Sequence, residues 1–140
     1  CSSLLKPQPN CDAIAPHFNG VKEAYQVRVD SLNNFFNNNP LLLERFKRIE
    51  YIKIDAQGSD LNIIKGGLEL IKENVVWLTA EGDGHYYIEN MPEEDRCSTT
   101  NIIKIMEELG FIKYDHPNTT DPTFYNPKFL DWKDVYINQY

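Results

Sequence analysis

The chain has 140 residues, the size of one domain, with 41% hydrophobic and 25% charged residues. This composition is typical of a globular protein and excludes a disordered one. The formal net charge of −7 argues against nucleic acid or an anionic membrane as a partner, because both are polyanions. No apolar run approaches the roughly 20 residues that cross a bilayer, so we expect no membrane span.

The cysteines give a first indication of the compartment. Cys1, Cys11 and Cys97 are odd in number and lack the C-x-x-C spacing of zinc sites. Such usage favours free thiols in a reducing environment. The first ten residues are polar and rich in proline and do not read as a secretory signal. We therefore expect a cytoplasmic protein without a metal centre.

The first third of the chain predicts short elements. Residues 1–20 contain three prolines and favour loop. Ser2 and Ser3 lie there, and their hydroxyls could bind a ligand or bond local backbone in a turn. Residues 25–29 alternate between apolar and polar side chains, which predicts a strand.

Two short helices follow that predicted strand. Asp30 and Ser31 are suited to cap a helix over 32–36, because their side-chain oxygens can accept from backbone amides of the first turn. The Asn-rich run 37–39 and Pro40 then interrupt the helical pattern. A second helix is predicted over 41–48.

The segment 49–81 has the strongest pattern in the chain. A short apolar run ends at Asp55, a turn containing Gly58 follows, and apolar residues then recur at helical spacing until a second apolar run that ends before Glu81. This is the pattern of a β-α-β unit with parallel strands. A carboxylate therefore stands at the carboxyl end of each strand, where open parallel sheets bind ligands.

Details within this segment predict how its helix begins and breaks. Ser59 can serve as the N-cap, and Asp60 places a negative charge where the helix dipole favours one. Gly66 and Gly67 predict a break that ends one helix and starts a shorter turn.

The last third predicts a loop, a helix and a hairpin. Residues 82–96 are polar and charged, and they form either an active-site lid or a solvated connection. Thr100 is the predicted cap of a helix that ends at Gly110. A strand over 111–114 is expected to pair, through a long loop from 116 to about 130, with an antiparallel final strand over 134–138.

The run IKIDAQGSDLNIIKGG at 52–67 closely resembles the signature of FkbM-like methyltransferases. Flanking runs are also similar to that family: CSSLLKP at 1–7, VRVDSLNNFF at 27–36 and EELGF at 107–111. Nearly the whole chain resembles only the C-terminal portion of such an enzyme. We therefore expect residues 1–140 to form a single domain of α/β class that lacks the N-terminal part of its fold.

The resemblance implies a fold and an activity. The fold would be a doubly wound, mostly parallel, Rossmann-like sheet with an antiparallel C-terminal hairpin. The activity would be the transfer of a methyl group from S-adenosylmethionine to a hydroxyl of a sugar, glycan or secondary metabolite.

The resemblance also suggests which residues form the site. Asp55, Glu81 and His85 are the candidate catalytic residues, since each could accept the proton of the acceptor hydroxyl. Ser2, Ser3, Asp55 and Gly58 are the candidates for cofactor contact. The alternatives are that Asp55 caps the turn, that Glu81 bonds loop backbone, and that His85 is an exposed loop residue.

One departure from the family concerns the front of the fold. A complete enzyme carries an acidic-Gly-x-x-x-Gly loop after its first strand, and this sequence contains none. An upstream half of the fold, or a partner chain, would then be needed to hold the cofactor and to cover the open sheet edge. The alternative is a non-catalytic, methyltransferase-like module of a larger assembly. A receiver or flavodoxin-like domain fits the alternation of strands and helices but lacks the expected acidic cluster or phosphate loop.

Overall fold

A computed structural model describes residues 4–5, 23–82, 92–115 and 121–132. Within these ranges the chain forms five α-helices and four strands. In chain order they are α1 (Leu32–Asn37), α2 (Pro40–Phe46), β1 (Ile49–Ile54), α3 (Asp60–Lys65), α4 (Leu68–Asn74), β2 (Val75–Ala80), α5 (Thr99–Glu108), β3 (Ile112–Tyr114) and β4 (Thr123–Tyr125), with 3₁₀ turns at Glu93–Asp95 and Pro127–Trp132.

The four strands form one mixed sheet in the order β1-β2-β4-β3. β1 and β2 are parallel, with Ile52 opposite Leu78 and Ile54 opposite Ala80. β4 is antiparallel to both β2 and β3. The expected β-α-β unit is thus present. Among the described strands, β1, β2 and β3 run in one direction and β4 runs opposite to them. The doubly wound arrangement stays a prediction.

The helical part of the unit divides at the paired glycines, as the sequence predicted. α3 ends at Lys65 and α4 begins at Leu68. A Cβ atom on Gly67 would lie 2.9 Å from Leu32 Cδ1, so this glycine also allows α1 to pack closely against the break.

Two of the three predicted helix caps are wrong in detail. Ser31 caps α1 as expected, since its hydroxyl accepts from the amide of Asn34 at 3.1 Å. Ser59 occupies the N-cap position of α3 but makes no capping bond with its side chain. The cap of α5 is Ser98, whose hydroxyl accepts from the amide of Asn101, and not Thr100.

The core lies between the β-α-β unit and α5. One cluster of buried side chains joins the helices to the sheet: Ile54, Leu61, Ile64, Ile71, Val75, Leu78, Ala80, Cys97, Ile102, Met106, Phe111 and Phe124. A smaller cluster contains Val76, Trp77 and Tyr125. Burial of these apolar surfaces is the main stabilising contribution to the fold.

The structure corrects two further predictions. Residues 25–29 form no strand, and Tyr25, Val27 and Val29 are exposed, because no described strand offers them a backbone partner. Thr123–Tyr125, expected within a loop, is a buried strand between β2 and β3. The antiparallel hairpin at the end of the sheet therefore exists with β4 as its second strand. The predicted strand over 134–138 lies outside the described residues.

Across the ranges that the structure describes, none of the helices has the length and apolar character needed to cross a bilayer.

Candidate active site

The carboxyl ends of β1 and β2 bring two acids to the same edge of the sheet. Ile54 and Ala80 are opposite each other in the parallel pair, so Asp55 and Glu81 follow directly at neighbouring positions. The amide of Glu81 also donates to the carbonyl of Ile54 at 3.0 Å, which extends the ladder by one bond. The sequence prediction that these two carboxylates share an edge is confirmed.

Gln57 connects the two acids. Its side-chain Nε2 donates to Asp55 Oδ1 and to Glu81 Oε2, both at 3.1 Å. The residue adopts a φ of +50°, and the following Gly58 adopts a φ of +94°. Two consecutive left-handed residues turn the chain sharply after β1, and this turn aims the Gln57 side chain at the end of β2.

The two acids differ in their ionisation. The hydrogen bond from Gln57 lowers the pKa of Asp55, with a further contribution from the charge of Lys53. Burial raises the pKa of Glu81, and the charges of Asp55 and Asp60 raise it further. Asp55 is therefore an anion at neutral pH, and Glu81 is the more easily protonated of the two.

A third acid, Asp60, lies under the turn and is fully buried. Both of its carboxylate oxygens are 3.4 Å from the amide of Ala56. Desolvation raises the pKa of Asp60, although hydrogen bonds from backbone amides, including those of Gly58 and Glu81, oppose the rise. Through these hydrogen bonds, the Asp60 carboxylate connects the turn after β1 to the end of β2.

Among the described residues, the ammonium group of Lys53 faces this acidic edge. Lys53 Nζ lies 3.5 Å from Asp55 Oδ2 and 3.9 Å from Asp121 Oδ2. Asp121 precedes β4, so the ammonium group on β1 lies within reach of acids beside two different strands, β1 and β4. Both ion pairs are half-exposed and are therefore weak.

The end of β2 is closed by the start of α5. Cys97 is buried, and its Sγ donates to the carbonyl of Glu81 at 3.7 Å. A Cβ atom on Gly82 would lie 2.0 Å from Thr99 Oγ1 and 2.9 Å from Thr99 Cα. Only glycine fits at position 82, and this close contact holds the backbone of Glu81 in place.

The other residues singled out from the sequence divide into two groups. Gly58 lies in the turn beside the carboxylate pair, as expected. His85, Ser2 and Ser3 lie outside the described residues, so their assigned roles stay predictions. The turn-capping role considered for Asp55 belongs to Asp60, because it is the Asp60 carboxylate that accepts from the amide of Ala56 in the turn.

Sequence reasoning missed Gln57 and the burial of Asp60. The bridge from Gln57 depends on a residue 24 positions away, which no local pattern shows. A signal did exist for Asp60, since an acid that is followed by the apolar stripe of a helix can be drawn into the core when backbone amides face it.

The acids are not arranged as a metal site within the described ranges, where no group of three or more His, Cys, Asp or Glu side chains could hold an ion. The edge instead presents hydrogen-bonding carboxylates of unequal basicity, an arrangement that suits proton transfer or recognition of a cation.

Comparison with known proteins identifies the family. The Methyltransferase FkbM domain matches residues 13–113, which is more than half of the chain and includes both acids and the turn between them. No curated protein and no solved structure matches the chain. The match confirms the resemblance that the motif at 52–67 suggested: the chain belongs to the FkbM methyltransferase family.

Proposed function

We propose that the protein is an S-adenosylmethionine-dependent O-methyltransferase that acts on a hydroxyl of a sugar, glycan or secondary metabolite. The observation that carries the proposal is the pair Asp55 and Glu81, bridged by Gln57 at the carboxyl ends of two parallel strands. Family membership supports methyl transfer in general, and the carboxylate pair supports a hydroxyl acceptor, because a neutral hydroxyl must lose its proton when it is methylated.

The chemistry of the described edge suits the cofactor. S-adenosylmethionine, when bound, supplies an activated methyl group on a sulfonium cation. The exposed anion of Asp55 is complementary to that positive charge, and Gly58 keeps the turn beside it free of a side chain. Ser2 and Ser3 remain further candidates for cofactor contact on the strength of the sequence alone.

The two acids would divide the work on the acceptor. Asp55 is ionised and exposed, so it can take the proton that the acceptor hydroxyl releases. Glu81 is partly buried and has a raised pKa, so in its protonated form it can donate a hydrogen bond that orients the acceptor oxygen. His85 is a third candidate for the base, proposed from the sequence.

The remainder of the fold would complete this site. Within the described residues β1 pairs only with β2, and Tyr51 on β1 is 43% exposed. An upstream half of the fold, or a partner chain, would pair with this edge, complete a doubly wound sheet and supply the missing glycine loop. We accordingly regard residues 1–140 as the C-terminal portion of one methyltransferase domain.

Two further expectations are part of the proposal. The net charge of −7 favours a small-molecule or glycan acceptor over nucleic acid. The cytoplasm remains the proposed compartment, on the basis of cysteine usage, and the buried thiol of Cys97 is free.

Calorimetric titration with S-adenosylhomocysteine tests the proposal. We expect saturable binding that weakens in Asp55→Ala and Glu81→Ala. Glu50→Ala is the matched control, because Glu50 is an exposed acid at the amino end of β1, the end of the strand opposite to Asp55. Transfer of a labelled methyl group to a panel of sugars would then identify the acceptor.

The alternative function is a non-catalytic, methyltransferase-like module, and the missing glycine loop favours it. A folded chain that binds no S-adenosylhomocysteine, alone or together with an upstream segment carrying the loop, would contradict catalysis and support this alternative.

A further inference from the structure

The position of Gln57 is unusual for a polar residue in a turn. Its single side-chain amide donates to two carboxyl groups from different strands, at 3.1 Å each. Because the amide nitrogen carries two hydrogens, one bond to each acid uses both. The amide oxygen cannot take the same place, since it would face two acceptors with no hydrogen between them.

The backbone at this position is also held in a conformation that disfavours glutamine. A φ of +50° lies in the left-handed region, which glycine, asparagine and aspartate adopt more readily. Such a conformation persists where surrounding contacts fix it. Here the contacts that fix it include the two hydrogen bonds of the side chain, so the turn and the bridge support each other.

We propose that Gln57 is a positioning residue for methyl transfer, whose side-chain amide holds the carboxylates of Asp55 and Glu81 side by side in front of the acceptor hydroxyl. This inference rests on the proposed function. Gln57 acts through the two acids and need not contact the acceptor itself.

The electrostatics of the edge are consistent with this role. The hydrogen bond from Gln57 is the largest cause of the lowered pKa of Asp55. Asp55 in turn raises the pKa of Glu81, after burial, which is the largest cause. The bridge therefore favours the ionised form of Asp55, while burial and the charge of Asp55 make Glu81 the first of the two acids to be protonated. The other described titratable groups that face the pair are Lys53, Asp60, Cys97 and Asp121.

Three substitutions distinguish the effect of the Gln57 hydrogen bonds from the effect of the turn conformation. Gln57→Asn keeps an amide and tolerates a positive φ, but it is one methylene too short to reach both acids. Gln57→Gly relaxes the backbone fully and removes the bridge. Gln57→Glu keeps the length but replaces the donor by a further carboxylate. Gln26→Asn, in the exposed segment before α1, is the matched control.

The first measurement is a carbon-detected NMR titration of the side-chain carboxyl groups in the full chain. In the wild type we expect Asp55 to titrate at lower pH than Glu81. In Gln57→Asn and Gln57→Gly the pKa of Asp55 should rise, and the difference between the pKa values of Asp55 and Glu81 should become smaller. In Gln57→Glu the pKa values of both acids should rise, because a third negative charge is added. Gln26→Asn should titrate like the wild type.

The second measurement is the pH profile of methyl transfer. We expect the acid limb to move to higher pH in all three Gln57 variants. Below the midpoint the rate should fall about tenfold for each pH unit by which the limb moves. A purely structural role would leave the profile of Gln57→Asn unchanged, since that variant preserves the turn.

If Asp55 and Glu81 have the same pKa values in folded Gln57→Asn and Gln57→Gly as in the wild type, the inference is overturned. The two proposals fail separately. If the wild type, alone and together with an upstream segment carrying the glycine loop, neither binds S-adenosylhomocysteine nor transfers a methyl group, the proposed function is wrong. The carboxyl titrations still decide whether Gln57 controls the pKa values of the two acids.

Discussion

The neighbouring strands β1 and β2 are both six residues long and parallel, but they differ in burial. All six residues of β2 are buried, whereas in β1 only Ile54 is buried and Glu50, Tyr51 and Lys53 are exposed. The reason is position in the sheet. β2 is paired on both sides, with β1 and β4, while among the described strands β1 has β2 alone.

This difference extends to the acids that follow each strand. Glu81 continues a strand that is covered on both sides, so burial raises its pKa. Asp55 continues the edge strand, is exposed, and has a lowered pKa. Sheet order therefore contributes to the difference between the two pKa values through the burial of Glu81, whereas the hydrogen bond from Gln57 is the largest cause of the lowered pKa of Asp55. Changing the cover of β2 should change the pKa of Glu81.

The largest effect is expected from truncating the buried strand. Leu78 is fully buried, so Leu78→Ala should lower the free energy of unfolding by about 2–5 kcal/mol. Its partner in the register, Ile52, is only partly buried, so Ile52→Ala should cost about 1–2 kcal/mol, because less apolar surface is removed from contact. Urea denaturation of both variants measures the difference. Equal losses would mean that β1 is as well covered in solution as β2.

A smaller loss is expected where β2 ends. In Gly82→Ala the new Cβ would overlap Thr99, and we expect a cost of about 1–3 kcal/mol from the forced shift. Gly110→Ala is the comparison, since a Cβ there meets nothing within 4 Å but the residue has a φ of +87°. It should cost about 1 kcal/mol from backbone strain alone. Thermal unfolding would rank the two, and a neutral Gly82→Ala would show that the contact with α5 is loose.

The pH dependence of stability should have opposite signs for two nearby acids. The pKa of Asp60 is raised in the folded state, so its contribution to stability is present below its unfolded pKa of about 3.9 and is lost as pH rises through the folded value. The stability of the wild type relative to Asp60→Asn should therefore fall as pH rises through this range.

The matched control is Asp55→Asn. The pKa of Asp55 is lowered in the folded state, so its contribution is present above the unfolded pKa and is lost as pH falls through the folded value. Relative to this variant, the wild type should gain stability as pH rises in the acid range. Urea denaturation at a series of pH values measures both slopes, and slopes of the same sign would show that Asp60 is hydrated in solution.

The sequence predicted those parts of the fold whose signals are local. Two short apolar runs, the first interrupted by Lys53, identified β1 and β2, and the glycine pair marked the division between α3 and α4. The strand β4 was missed because Thr123–Tyr125 is three residues long, stands among prolines and is held by pairing with β2 and β3. Residues 25–29 alternate like a strand, but alternation without a backbone partner does not make one.

In the candidate site, too, only the features with a local sequence signal were predicted. Asp55 and Glu81 follow strands, so their meeting at one edge followed from parallel pairing. The bridge by Gln57 and the burial of Asp60 arise only when the turn after β1 and the end of β2 are assembled, because their hydrogen-bond partners belong to both segments. The bridge has no signature in composition or periodicity, and the only sequence signal for the burial of Asp60 is the apolar stripe of the helix that follows it.

The smallest expected effect concerns Lys53, the cation on the exposed strand. Its ion pairs with Asp55 and Asp121 are 3.5 and 3.9 Å long and half-exposed, so Lys53→Met should change the free energy of unfolding by about 0–1 kcal/mol. The pKa of Asp55 should nonetheless rise, because the charge of Lys53 contributes to its lowering. Urea denaturation and carboxyl NMR separate the two outcomes. A loss well above 1 kcal/mol would mean that Lys53 is buried in solution. The difference in burial between β1 and β2 would then be smaller than the structure indicates.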